Sequence, residues 1–97
     1  MYMVISKWEY DPSHESDVRA SAAKMMATIG GWPEVESAFN VRVAANSVLA
    51  VITYRDEASY NRLIQDPEGP FAKAAAEHGI EDHAKWLWSE RGEVETP

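Results

Sequence analysis

The chain has 97 residues, 45% hydrophobic and 26% charged, with a net charge of −7 and no cysteine. One domain fits that length, and the apolar content is too high for a disordered chain. The composition excludes disulfide staples, thiolate chemistry and Cys-based metal centres, and the negative charge without a basic run argues against nucleic acid and anionic membranes as partners.

The opening MYMVISKWEY has no basic n-region, long apolar core or small-residue cleavage site, and no apolar run approaches the ~20 residues that span a bilayer. A cytoplasmic protein with no signal peptide is expected. Met1 to Glu9 reads as a strand, with Tyr2, Val4, Ser6 and Trp8 on one face and Met1, Met3, Ile5 and Lys7 on the other. Asp11 as cap and Pro12 at the first helical position then start a helix over 12–29, in which Val18, Ala22, Met25, Met26 and Ile29 recur at helical spacing. Gly30-Gly31 and Pro33 stop it.

Val35 to Ala44 alternates as a strand, with Phe39, Val41 and Val43 opposite Ala38, Asn40 and Arg42. Ala45-Asn46-Ser47 turns the chain into Val48 to Tyr54, a strand apolar on both faces and so expected in mid-sheet. Asp56 caps a second helix, broken by Asp66-Pro67-Glu68-Gly69-Pro70 and resumed from Phe71 to His78, with Gly79 closing it. Ile80 to Ser89 carries the last strand. Residues 1–90 form the expected domain, and Glu90 to Pro97 an acidic, frayed tail within which 91–97 stands outside the domain.

The order strand, helix, strand, strand, helix, strand is that of a ferredoxin-like βαββαβ sandwich with a four-stranded antiparallel sheet. Two helices cover one face of such a sheet. Large apolar side chains on the other face call for a second cover, and a second copy of the chain is the simplest, which predicts a sheet-to-sheet homodimer. In HAKWLWSE, strand alternation puts Trp86 and Trp88 on one face and Leu87 on the other.

This element order, the interrupted helix in YRDEASYNRLIQDPEGPFAKAAAEHG and the tryptophan-bearing last strand resemble the dimeric α+β barrel superfamily, most closely its antibiotic-biosynthesis monooxygenase-like group. The resemblance implies two sheets packed face to face, a pocket between each sheet and its own helices, and chemistry without a cofactor. Haem degradation, known in one branch of the superfamily, is disfavoured: the Asn, Trp and His that branch uses correspond here to Ser6 or Lys7, Leu63 and Ala75.

Among chemistry-bearing residues, His78, Glu81, Asp82 and His83 can be written as metal ligands, but the spacing follows no helix face and a solvated loop explains it better, so no metal site is expected. His14 suits a surface position at a helix start. Arg42 and Arg55 either anchor a substrate carboxylate or pair with neighbouring acids, and pairing is favoured. The aromatics Trp8, Tyr54, Tyr60, Phe71, Trp86 and Trp88 suit core, interface or pocket alike. Two functions follow. One is a cofactor-independent monooxygenase-like enzyme acting on a small aromatic or polycyclic compound, with Ser6, Trp8, Tyr54 and Trp86 lining its pocket and His78 or Tyr60 moving a proton. The other is a non-catalytic homodimer that binds a small hydrophobic ligand or serves in a stress response.

Overall fold

The computed structural model describes residues 1–95. Its elements are β1 (Tyr2–Tyr10), a 3₁₀ turn (Pro12–His14), α1 (Glu15–Gly30), β2 (Val35–Ala44), β3 (Ser47–Tyr54), α2 (Glu57–Ile64), α3 (Pro70–His78) and β4 (Ala84–Glu93). The four strands form one sheet in the order β2-β3-β1-β4, with every neighbouring pair antiparallel. This is the ferredoxin-like βαββαβ arrangement, with the second helix divided in two.

Local chemistry sets the boundaries. The Asp11 carboxylate accepts the Ser13 N–H at 2.9 Å, and Asp56 accepts that of Ser59 at 2.7 Å, satisfying backbone donors that a helix start leaves free. These bonds hold both carboxyls below the usual carboxylate range. Pro70 opens α3 where no backbone donor is needed. Gly79 ends it at φ 61°, its N–H bonded to the Ala75 carbonyl. That left-handed backbone favours glycine, and a Cβ there would also oblige the exposed Asp82 side chain to move.

The last strand differs from expectation. Ile80 to His83 form a turn in which the Asp82 N–H bonds the Gly79 carbonyl, and the strand begins only at Ala84. It runs on through Glu93, because Glu90, Arg91, Gly92 and Glu93 pair with Ile5, Val4, Met3 and Tyr2. The frayed end expected from Glu90 is therefore paired strand as far as Glu93. Charged side chains at an edge blunt unwanted pairing, which explains a strand this polar in that place. Thr96 and Pro97 lie outside the described residues.

All three helices pack on one face of the sheet. Tyr2, Val4, Ile52 and Tyr54 meet Met25 and Ile29 of α1, Leu63 of α2 and Ala74 of α3 in one buried cluster. No helix of the described residues covers the opposite face. Pairing of Ile5 with Val51 and of Val51 with Phe39 places all three there, together with Leu49, Val41 and Met3. Phe39 is 47% and Trp88 43% exposed, although both are large and apolar. Asn40 and Arg42 of β2, paired with Ala50 and Val48, sit on the helix side instead.

Trp86 and Trp88 do not share a face. Trp88 pairs with Lys7 and Trp86 with Trp8, a register shift that makes Leu87 the extra residue of a β-bulge. Directly opposed residues share a face, so Trp86 lies on the helix side with Trp8, and Trp88 on the uncovered side with Lys7. No helix of the described residues is long and apolar enough to cross a membrane.

Candidate functional site

A cavity of about 80 Å³ lies between the sheet and the helices. Small residues create it: Ser6 and Ala50, paired across β1 and β3, form the floor, and Ser21 and Ala22 of α1 stand over them. A close-packed interior leaves such a void only where side chains on both sides are short. Met25, Met26 and Ile29 of α1, Phe71 of α3 and Ile80 complete an apolar roof, and Trp8 and Asn40 reach in from β1 and β2.

One polar pair is oriented in it. The Trp8 indole N–H donates to Ser6 Oγ at 2.9 Å, which fixes the ring and leaves the Ser6 hydroxyl hydrogen free to donate onward. Asn40 stands where the cavity meets an outer groove of about 300 Å³. That groove shares Val18, Ala22, Asn40 and Val48 with the cavity and adds Tyr10, Arg19 and Arg42. Arg42 forms an ion pair with Glu15, with Arg19 3.8 Å from the same carboxylate oxygen. Arg42 is thus a paired arginine, as its sequence context favours. Arg55 lies 3.9 Å from Asp56 and 3.4 Å from the Ser59 hydroxyl.

Of the residues expected at a pocket, the fold brings Ser6 and Trp8 to the cavity and sends the others elsewhere. Tyr54 is 1% exposed in the core, with Tyr60 5.3 Å away and Tyr2 5.4 Å from Tyr60, ring centre to ring centre. Arg91 lies 5.7 Å above the Tyr60 ring, within cation–π reach. These tyrosines gather at the Tyr2 end of β1, about 20 Å of strand from Trp8 at ~3.3 Å per residue. Burial, and secondarily Tyr60, push the Tyr54 phenol well above its ordinary pKa. His78, last residue of α3, meets Thr28 Oγ1 through Nε2 at 2.9 Å and ties α3 to α1. Neither His78 nor Tyr60 lines the cavity. Trp86 is on the correct face but at the sheet edge, 53% exposed, and its indole N–H donates to Ser89.

Sequence reasoning missed Ser21 and Asn40. Their signal was present, since small and polar residues interrupt faces that otherwise pack against a core, but it had no meaning until α1 was set over β2 and β3. The cavity lining contains no titratable side chain.

No protein-family profile matches the sequence, and no curated protein matches it. Solved structures do. They share its ferredoxin-like βαββαβ fold over nearly the whole chain. Among the most similar is SnoaB, a cofactor-independent oxygenase from Streptomyces nogalater: TM-score 0.76, 12% identity, 99% of this chain and 94% of that one. A candidate antibiotic biosynthesis monooxygenase from Deinococcus radiodurans gives a TM-score of 0.78 at 7% identity over 100% and 95% of the two chains. Rv0793 of Mycobacterium tuberculosis gives 0.76 at 13% identity over 99% and 96%. At these identities the likeness is one of fold.

Proposed function

We propose that the protein is a homodimeric cytoplasmic oxygenase that needs no cofactor and oxidises an activated ring CH₂ of a small aromatic or polycyclic compound in the cavity under α1. The observation that carries this reading is the cavity itself, an apolar enclosure with one oriented hydroxyl, Ser6, held by Trp8. SnoaB, named as a cofactor-independent oxygenase, shares the fold.

An activated ring CH₂ loses a proton, and the carbanion passes its electrons to dioxygen. Carbon–oxygen bond formation and loss of water then give a carbonyl, so that CH₂ and O₂ become C=O and H₂O. The inner cavity has no titratable lining residue and the outer groove adds only Tyr10, Arg19 and Arg42, so no carboxylate or imidazole lines the site. The substrate must be acidic enough to ionise itself, and the protein supplies shape, exclusion of water and a hydrogen bond from Ser6 to the oxyanion. His78 and Tyr60 have no part in this scheme.

Size restricts the substrate. A cavity of ~150 Å³ accommodates benzene, so the inner space alone is too small for a ring. Together with the outer groove it reaches the lower end of the ~300–1,000 Å³ typical of ligand pockets. The substrate therefore enters past Asn40 and displaces the flexible Met25 and Met26 side chains. The uncovered sheet face supports the dimer, since contiguous exposed apolar surface of this kind marks an interaction site.

The absence of an acid or base from the cavity favours a second reading, a non-catalytic dimer that binds a small hydrophobic ligand. Oxygen-electrode measurements with anthrone separate the two: turnover supports the enzyme, and saturable binding without oxygen uptake supports the binding protein.

A further inference from the structure

His14 at the start of α1 and His83 just before β4 are 69 positions apart in sequence, yet their rings stack at 4.2 Å between centroids and 11° between planes. Asp17, one helical turn beyond His14, completes the group, and one donor atom from each of the three lies within 4.8 Å of the others. We propose that His14, Asp17 and His83 form a binding site for a late first-row divalent cation of the Zn²⁺ type.

The donor set suits that class. Imidazole favours Zn²⁺, Ni²⁺ and Cu²⁺, whereas Mg²⁺ and Ca²⁺ take oxygen ligands. Three protein ligands leave further coordination positions open to water. The His14 Nδ1 to Asp17 Oδ2 distance of 3.9 Å is too long for a hydrogen bond, so those two atoms do not satisfy each other. Bonds of ~2.1 Å to a shared ion bring ligand atoms to about 3–3.5 Å apart. Reaching that spacing requires the two rings to splay from parallel, which exposed side chains can do without moving the backbone. Asp11, Glu9 and Asp82 line the same surface cleft as the histidines and outnumber its one lysine, Lys85, so the net charge there raises the local concentration of cations. The sequence hides this site because no local spacing connects His14 to His83. The His78 to His83 segment, which looks the more suggestive, separates its two histidines: His78 turns to Thr28.

Isothermal titration of tag-free, chelator-treated full-length protein with Zn²⁺ tests the proposal, with Mg²⁺ as control. One ion per chain is expected, with affinity at least tenfold weaker in His14→Ala and in His83→Ala, and a rise in melting temperature on adding Zn²⁺ to the wild type that both variants lack. Far-ultraviolet circular dichroism establishes that the variants are folded. No binding by the wild type, unchanged binding in His83→Ala, or equal affinity for Mg²⁺ would each overturn it, the last because it describes a general acidic surface.

Discussion

The Trp86 indole donates its N–H to Ser89 Oγ at 2.9 Å, across three residues of a single strand. In a regular strand residues three apart point to opposite faces and cannot meet in this way. The Leu87 bulge rotates the chain so that they do, and it produces a matched pair: Trp8 bonds Ser6, Trp86 bonds Ser89, with Trp8 opposite Trp86 and Ser6 opposite Ser89. The same bulge gives Trp88 to the uncovered face.

That division predicts different behaviour for the two tryptophans. If two sheets pack face to face, sedimentation equilibrium gives twice the chain mass, and Phe39→Glu, which puts a charge on the exposed face without entering the core, gives the chain mass. Trp88→Ala weakens the dimer at least tenfold. Trp86→Ala leaves the association unchanged.

The hydrogen bond between His78 and Thr28 ties α3 to α1. Thr28→Val keeps the shape and removes the bond, and should lower stability by about 0.5–1.5 kcal/mol in urea titration. His78→Ala, assayed well below its melting temperature, should keep its oxygen uptake. A loss of more than tenfold would return His78 to the chemistry.

Tyr54 makes stability sensitive to alkali. Its pKa in the folded state lies above that of the unfolded chain, ~10, so the folded state holds the proton longer. The contribution is whole below pH ~10 and falls as pH rises above it, by up to about 1.4 kcal/mol per unit. Unfolding free energies measured from pH 8 to 11 should show this decline in the wild type and a shallower one in Tyr54→Phe, which keeps the ring but cannot ionise.

The sequence specified the element order, the capped helices and the two-faced character of β3 well, because alternation, Asp caps and Gly stops are local signals. β4 was less legible. Its polar second half, Glu90 to Glu93, carries no strand period and is held by its partners in β1, and the bulge at Leu87 leaves no mark in composition. The candidate site was read in part. Ser6 and Trp8 share a strand face with the core and were visible, whereas the cavity exists because Ser21 and Ala22 stand over Ser6 and Ala50, a relation between elements. Tyr54, Tyr60 and His78 attracted attention by residue type, and packing placed them elsewhere.

The central claim is that the cavity floored by Ser6 is where an aromatic substrate meets oxygen. Oxygen uptake with anthrone should be compared in the wild type, Ser6→Ala and Ala22→Phe, the last filling the space under α1. One O₂ consumed per substrate, label from ¹⁸O₂ in the product carbonyl, a fall of at least tenfold in Ser6→Ala and near-complete loss in folded Ala22→Phe are expected. Uptake no faster than in protein-free buffer, or uptake unchanged in Ala22→Phe, would contradict it.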